Sequence, residues 1–264
     1  MGGSKDVKPI EYFIDKIINF DCLKVMPHIP DKSIDMILCD LPYGTTACKW
    51  DTIISFDPLW EQYKRIIKDH GAIVLFGSEP FSSHLRLSNL DWFKYDWIWK
   101  KNYASGFAFS KYQPMRDHEI ISCFSRGKTT YYPQEVLSKV KDRKTGKKNG
   151  HHGYELLKSE HTGDMVFNSK SNPDKILRTY VNPRTVLEFD VVPRSKGTLH
   201  PTQKPVPLFE YLIKTYTNEG DIVLDNCIGS GTTALAARNT NRRWIGIELD
   251  KNYCEIARKR LEEV

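Results

Sequence analysis

Residues 223–233, which read Val-Leu-Asp-Asn-Cys-Ile-Gly-Ser-Gly-Thr-Thr, give the clearest indication of the fold. Its apolar start is typical of a buried strand, its two glycines of a tight turn, and Thr232-Thr233 of the beginning of a helix. Glycine allows the backbone to pass close to a ligand, and the first N–H groups of the helix can bind one. A strand, a glycine turn and a helix in this order favour an α/β fold with a ligand above the turn.

An acid ends the next predicted strand, where the apolar run Trp244–Ile247 reaches Glu248. A glycine turn alone also fits a connection without a ligand, but an acid at this place can accept hydrogen bonds from both ribose hydroxyls of a nucleoside. The third glycine of the dinucleotide fingerprint is absent, since Ala234 follows Thr233. Asp225 would repel a pyrophosphate and suits an ammonium group. The charges therefore favour S-adenosylmethionine over NAD.

A second candidate site follows the apolar run Ile34–Cys39, where the chain reads Asp40-Leu41-Pro42-Tyr43. The tetrapeptide alone fits an ordinary turn, but after a buried strand it lies at the ligand-binding edge of an α/β sheet. The exocyclic amino group of adenine or cytosine is a poor nucleophile because its lone pair is delocalised. The Asp40 carboxylate and the Leu41 carbonyl can accept its two hydrogens, and the Tyr43 ring can stack on a base removed from the duplex.

Around these two sites, short apolar runs alternate with amphipathic ones, which predicts a doubly wound, mostly parallel α/β sheet. We expect Gly71 to end the helix that contains Leu59–Ile67, before the strand Ala72–Phe76. Residues 129–197 are polar and weakly periodic, which is typical of a functional insertion or of a solvated loop. The predicted organisation is a catalytic domain at 10–128 and 198–264 with an insertion at 129–197.

Composition agrees with an ordinary globular enzyme. The 264 residues are 40% hydrophobic and carry a formal net charge of +6, which suits a polyanionic partner. The six cysteines form no CxxC pair, so we expect no metal site and a reducing, cytoplasmic setting. No apolar stretch is long enough for a membrane span.

These motifs together resemble the amino-methyltransferases that modify N6 of adenine or N4 of cytosine in DNA. The catalytic motif of that family appears as Asp40-Leu41-Pro42-Tyr43, its cofactor motif as Asp225–Thr232, and its His-Pro-Thr-Gln-Lys-Pro signature as residues 200–205. The catalytic motif precedes the other two, which is similar to the β group, a circular permutation of the class I methyltransferase chain. Two departures are Leu41 for the first proline and Asn226-Cys227 for Pro-Phe.

The resemblance implies a site-specific adenine-N6 DNA methyltransferase that flips its target base and takes double-stranded DNA as partner. It also implies that Asp21 and Cys22 read the cofactor's adenine, and that Thr202 and Lys204 hold its carboxylate. The expected cofactor-binding set is Asp21, Cys22, Thr202, Lys204, Asp225, Cys227, Gly229, Ser230, Gly231, Thr232, Glu248 and Leu249. A homodimer and a companion restriction endonuclease are compatible with this family.

The lysines and arginines of the insertion are expected to make salt-dependent contacts with phosphates, while a few contacts with bases set the target sequence. The expected DNA contacts are Lys49 and Trp50, in a loop that closes over the base, and Lys139, Lys141, Arg143, Lys144, Lys147 and Lys148 in the insertion. Trp50 fits a core anchor equally well. The alternatives are a cytosine-N4 DNA methyltransferase, an RNA or protein amino-methyltransferase, and a DNA-binding module without activity.

Overall fold

The computed structural model describes residues 6–44, 52–134, 136–137, 155–157, 166–168, 180–192 and 203–263. The chain forms two compact units, Met1–Tyr132 with Thr185–Val264, and Pro133–Arg184. The first unit contains all of the large sheet. The second unit contains two short antiparallel pairs, which join β6 to β9 and β7 to β8.

Twelve strands and six α-helices make up the described part of the chain. The strands are β1 (Lys16–Asn19), β2 (Ile34–Asp40), β3 (Ile67–Gly77), β4 (Phe93–Ser105), β5 (Arg116–Phe124), β6 (Val136–Leu137), β7 (Glu155–Leu157), β8 (Val166–Asn168), β9 (Tyr180–Val181), β10 (Val186–Glu188), β11 (Ile222–Asp225) and β12 (Arg243–Glu248). The helices are α1 (Cys22–Val25), α2 (Phe56–Ile66), α3 (Phe81–Leu87), α4 (Val206–Tyr216), α5 (Thr232–Asn239) and α6 (Lys251–Glu262).

The large sheet has eight strands in the order β1-β12-β11-β2-β3-β5-β4-β10. Its pairings are parallel except for those of β5, which runs antiparallel to both β3 and β4. Because β5 is reversed, β4 again runs in the same direction as β2 and β3. The predicted doubly wound, mostly parallel sheet is therefore confirmed.

Helices cover both faces of the sheet, which explains why the central strands read as unbroken apolar runs. Met36 and Leu38 of β2 face a layer formed by α4, α5 and α6, with Phe209 among its buried residues. Ile37 and Cys39 face the opposite layer, formed by α1, α2 and α3. The buried core therefore lies on both sides of β2, and Asp40 emerges at its carboxyl end.

The centre of the sheet is a topological switch point between β11 and β2. From β11 the chain crosses to β12 on one side, and from β2 it crosses to β3 on the other. In open α/β sheets, ligands bind beside the carboxyl ends of the strands at such a point. Asp225 ends β11 and Asp40 ends β2, so the two candidate sites meet there.

The prediction that Gly71 ends a helix was wrong. Helix α2 ends at Ile66, and β3 begins at once with Ile67 opposite Ile34. Gly71 lies inside β3, where the register shifts, and a Cβ atom there would lie 2.7 Å from the backbone oxygen of Asp35. The glycine is needed for this close approach of two strands and not for a helix end.

The second unit is shorter than the predicted insertion at 129–197. It spans Pro133–Arg184, because Val186–Glu188 pairs with Ile98–Lys100 of β4 and so extends the large sheet. A three-residue strand within a polar segment carries no periodic signal that sequence reading could detect. The target-recognition role of this segment stays a prediction.

No helix in the described part of the chain is long and apolar enough to cross a membrane. The same residues contain no group of three or more His, Cys, Asp or Glu side chains that could hold a metal ion.

Candidate active site

Acids lie at or just beyond the ends of four neighbouring strands, at one edge of the sheet. Asp21 follows β1 after one residue, Glu248 ends β12, Asp225 ends β11 and Asp40 ends β2. Since adjacent strands lie about 4.8 Å apart, this row of acids extends over about 14 Å. An elongated ligand can lie along the row with one end beside Asp40.

At the catalytic end of the row, the Asp40 carboxylate is held from two sides. The Tyr43 hydroxyl donates to Oδ1 at 2.5 Å, and Nζ of Lys204 donates to Oδ2 at 2.6 Å. Lys204 lies just before α4, and its side chain is only 6% exposed. Each carboxylate oxygen can accept a second hydrogen bond, so Asp40 can still bind an amino group.

Lys204 also links Asp40 to β5. Its Nζ lies 3.2 Å from Oε2 of Glu119, whose Oε1 accepts from Nζ of Lys101 at 2.6 Å. The four side chains Asp40, Lys204, Glu119 and Lys101 thus form a line of alternating charges with no net charge. Paired in this way, charges can stay ionised inside the protein.

The pKa directions agree with this picture. Burial raises the pKa of Asp40, and the charge of Lys204 opposes that rise. Burial also acts to raise the pKa of Glu119, but Lys204 and Lys101 outweigh it and hold this pKa below its usual range. For Lys204, burial acts to lower the pKa, yet the two carboxylates raise it above the usual value. Lys204 is therefore a permanent cation beside Asp40.

The ring of Tyr43 borders an apolar cavity of about 410 Å³. The cavity is lined by Tyr43, Gly44, Ile53, Phe56, Pro80, Phe81 and His84. Tyr43 packs on Phe81 with ring centroids 5.0 Å apart, and Leu41 is buried. The tetrapeptide is thus fixed by its own side chains, and the Tyr43 ring forms part of the cavity wall.

In the middle of the row, Asp225 and Glu248 hold the glycine turn. Oδ1 of Asp225 accepts from the backbone N–H of Cys227 at 3.0 Å, and Oδ2 accepts from the Thr233 hydroxyl. Burial raises the pKa of Asp225 to about 7. Glu248 accepts from the N–H groups of Gly229 and Asp250, each at 2.9 Å, and burial raises its pKa as well.

The glycines of the turn are required by backbone conformation. Gly229 and Gly231 have φ angles of +51° and +82°, which residues with a Cβ atom rarely adopt. A Cβ atom on Gly231 would also lie 3.0 Å from Cβ of Ala257 in α6. The turn is further held by Arg260, which donates to the Ser230 carbonyl at 3.1 Å and to Oγ1 of Thr232 at 2.9 Å.

The departure Asn226-Cys227 has a structural explanation. The Asn226 side chain accepts a hydrogen bond from the buried Tyr63 hydroxyl of α2, and its amide lies 3.6 Å from the sulfurs of both Cys22 and Cys227. The pair therefore ties the start of the turn to α1 and α2, a contact that a Pro-Phe pair could not make.

The end of the row at Asp21 has side chains that are more exposed to solvent. Asp21 accepts from the backbone N–H of Leu23 at 2.9 Å and so caps α1, while Leu249 is 70% exposed. Phe20, next to Asp21, is 54% exposed, and its N–H donates to the Glu248 carbonyl at 3.0 Å. Exposed apolar side chains and a carboxylate thus lie together at this edge.

The structure brings most predicted site residues to the carboxyl edge of the sheet. They form two groups there, one around Asp40 and one around the glycine turn. Lys204, expected on the cofactor's carboxylate, lies against the catalytic acid Asp40. Predicted contacts at Thr202, Lys49, Trp50, Lys139, Lys141, Arg143, Lys144, Lys147 and Lys148 lie outside the described residues.

Sequence reasoning missed Glu119 and Arg260. Glu119 stands directly before the apolar run Ile120–Phe124, and an acid next to a buried run is a signal that could have found it. Arg260 lies in the last turn of α6, where a basic residue is common at any helix end, so no signal marked it.

Comparison with known proteins decides the family. The sequence profile of the DNA methylase family, the N6/N4 methyltransferases, matches residues 34–259. The chain belongs to this family. The resemblance to the amino-methyltransferases is thereby confirmed, and the protein is a DNA methyltransferase.

Curated relatives match this DNA methyltransferase over nearly its whole length. It is 29% identical to the type II methyltransferase M.HpaI of Haemophilus parainfluenzae, covering 94% of this chain and 74% of the relative. It is 28% identical to the type II methyltransferase M2.DpnII of Streptococcus pneumoniae, covering 93% and 89%.

Solved structures share the fold of this DNA methyltransferase. The M1.HpyAVI–SAM complex superposes with a TM-score of 0.58 at 24% identity, covering 93% of this chain and 98% of that one. The cytosine-N4-specific PvuII DNA methyltransferase superposes with a TM-score of 0.63 at 16% identity, covering 93% and 85%. The class I methyltransferase fold expected from the sequence is confirmed by these likenesses.

Proposed function

We propose that this DNA methyltransferase transfers a methyl group from S-adenosylmethionine to N6 of an adenine that has left the duplex. The observation that carries the proposal is the buried Asp40 carboxylate, which lies at the end of the row of acids and is held by Tyr43 and Lys204. The row provides an elongated cofactor site, and Asp40 provides the acceptor for an amino group at its end.

The residues of the row fit S-adenosylmethionine. We assign Asp21 to the adenine amino group and Glu248 to the ribose hydroxyls, with Leu249 against the adenine ring. Asp225 is the nearest acid for the methionine ammonium, and Gly229–Gly231 leave room for the backbone to approach it. When bound, the cofactor supplies an electrophilic methyl group on a sulfonium.

Asp40 and the Leu41 carbonyl then act on the target amino group. By accepting its two hydrogens they draw the nitrogen towards tetrahedral geometry and free the lone pair for attack. Transfer leaves an extra proton on the nitrogen, and Asp40 is the nearest base. Burial raises the pKa of Asp40, which makes it a better proton acceptor than an exposed aspartate.

Lys204 is the residue that opposes this rise and keeps Asp40 ionised before transfer. Its ammonium is fixed in turn by Glu119, which Lys101 holds on β5. We therefore assign Lys204 and Glu119 as positioning residues for Asp40. Tyr43 has two roles, since its hydroxyl holds Asp40 while its ring is available to stack on the base.

Adenine is preferred over cytosine because the catalytic motif begins with Asp and not with Ser. Cytosine N4 is the second candidate, since the same geometry serves any exocyclic amino group on a base. Methylation of RNA or of a protein side chain, and a DNA-binding role without activity, are the remaining alternatives.

The class of substrate is tested by competition. Purified protein is incubated with tritium-labelled cofactor and equal masses of unmethylated duplex DNA, RNA and a protein extract. We expect label in duplex DNA, and none above background with an Asp40→Asn variant that still binds cofactor by calorimetry. Label in RNA or protein but not in DNA would contradict the proposal, and failure of the wild type to bind cofactor would favour the inactive module.

Finer aspects of the proposal concern the second unit and the partners. We propose that the unit Pro133–Arg184 recognises the target sequence and that the protein acts in the cytoplasm. Association as a homodimer is tested by sedimentation, and a companion restriction endonuclease by cleavage of unmethylated DNA at the site that this enzyme protects.

A further inference from the structure

An exposed hairpin extends β4 and β5 beyond the sheet. It comprises residues 102–118 and is called the aromatic arm here. Every residue from Ser105 to His118 is exposed, although the arm carries Phe107, Phe109 and Tyr112 at 80%, 60% and 87% exposure. Exposed aromatic side chains in this number indicate a binding surface.

The arm is an ordered structure attached to the sheet. Ser105 pairs with Arg116 across the hairpin, and a short helical turn, Phe107–Phe109, forms its tip. Arg116 donates to Oγ of Ser78, the residue that follows β3, at 3.0 Å. The arm is therefore held beside the carboxyl end of β3.

The base of the arm touches the catalytic network. Lys101 immediately precedes the arm and binds Glu119, which immediately follows it. Glu119 in turn contacts the Lys204 ammonium that donates to Asp40. Arg116 lies only three residues before Glu119, which is about 10 Å along a strand. A base that reaches Asp40 must come from a duplex lying over this edge of the sheet, so the arm lies beside that duplex.

The chemistry of the arm fits DNA. Its aromatic rings can stack on bases or enter the gap that a flipped base leaves, and Met115 adds an apolar wedge. Lys111 and Arg116 supply cations for phosphates, against one carboxylate, Asp117. We propose that the aromatic arm is a DNA-binding surface whose aromatic side chains contact bases next to the target; this rests on the proposed function.

The test compares the double variant Phe107→Ala/Tyr112→Ala with Leu87→Ala. Leu87 is 66% exposed at the end of α3, away from the arm. We measure initial rates of methyl transfer to unmethylated plasmid DNA, cofactor affinity by calorimetry, and affinity for a labelled random-sequence duplex at several salt concentrations.

The arm variant should raise the KM for DNA about tenfold or more, because each lost stacking contact weakens binding substantially. Its cofactor affinity and the salt dependence of DNA binding should match the wild type, as should every property of Leu87→Ala. Lys111→Gln should instead reduce the salt slope by about one.

An unchanged KM for DNA in the arm variant, with an active wild type, would overturn the proposal. So would a change in sedimentation from dimer to monomer in the variant, since the arm would then bind a second copy of the chain. A wild type that transfers no methyl group to DNA would refute the proposed function itself, which separates the two failures.

Discussion

Nζ of Lys204 lies 2.6 Å from Oδ2 of Asp40, although 164 residues separate them in the sequence. The contact joins the loop before α4 to the end of β2, and Glu119 of β5 holds the same ammonium at 3.2 Å. Three distant parts of the chain thus meet at one ammonium group.

Asp40→Asn should lower the transfer rate by about a thousandfold, since it removes the charge that stabilises the developing positive charge on the target nitrogen. The amide keeps the size of the carboxylate, so folding should be little affected. Cofactor affinity, measured by calorimetry, should stay within about twofold of the wild type. A variant that loses cofactor binding and transfer together would show that Asp40 has been assigned the wrong role.

Lys204→Gln should move the acid limb of the pH–rate profile to higher pH. Activity requires ionised Asp40 and is lost as pH falls through its pKa, which burial raises and Lys204 opposes. Without the cation the pKa of Asp40 rises further, so activity is lost at a higher pH than in the wild type. The midpoint of the limb does not depend on the fraction of folded enzyme, so partial unfolding does not mimic the shift. An unshifted limb would contradict the electrostatic role of Lys204.

Glu119→Gln should reduce kcat about tenfold, because Lys204 loses one of its two carboxylates and holds Asp40 less firmly. The KM values for DNA and cofactor should change little. The matched control is Glu188→Gln, since Glu188 pairs with Lys100 at 3.0 Å on the neighbouring strand but is exposed. Exposed pairs contribute little, so this control should behave as the wild type. If the two variants had equal effects on kcat, Glu119 would not be a positioning residue for Asp40.

Binding of S-adenosylmethionine at pH 6 should release a proton from Asp225. Burial raises the pKa of this acid to about 7, so it is mostly protonated in the free protein at pH 6. An ammonium group beside it lowers that pKa, and affinity should therefore rise with pH until it levels off above 7. Calorimetry in two buffers of different ionisation enthalpy measures the proton. Asp225→Asn should abolish the release, and equal apparent enthalpies for the wild type in both buffers would refute the assignment.

Gly231→Ala should destabilise the protein more than Gly220→Ala. Both glycines have a φ angle near +80°, so each substitution costs about 1–2 kcal/mol in the unfavourable left-handed region. Only at Gly231 would the new Cβ also crowd Ala257, at 3.0 Å, while nothing lies within 4 Å at Gly220. Urea unfolding measures the difference in the free energy of unfolding between the two variants. Equal stabilities would mean that α6 moves away from the new Cβ atom without a loss of stability.

The sequence predicts the central strands and the acids that end them. Strands β2 and β11 are buried on both faces, so they appear as unbroken apolar runs, and Asp40 and Asp225 stand where the runs stop. The glycine turn is equally visible, because Gly229 and Gly231 are the residues that its backbone requires.

The contacts between these elements are not visible in the sequence. Lys204 meets Asp40 only because α4 packs on the sheet, and Glu119 joins them only because β5 runs antiparallel between β3 and β4. Strand β10 escaped prediction since three residues, Val186–Glu188, give no periodicity. The local sequence pattern predicts the strands and helices. Which charged side chains become neighbours depends on tertiary packing, which the pattern does not show.

Identification of the nucleoside that carries the methyl group tests whether Asp40 activates an adenine amino group. Unmethylated duplex DNA is treated with tritium-labelled S-adenosylmethionine and the purified protein, then digested to nucleosides and separated by chromatography. We expect the label to elute as N6-methyl-2′-deoxyadenosine and to be absent with Asp40→Asn. Label in N4-methyldeoxycytidine would contradict the choice of adenine, and label in neither nucleoside would contradict amino-group methylation by this site.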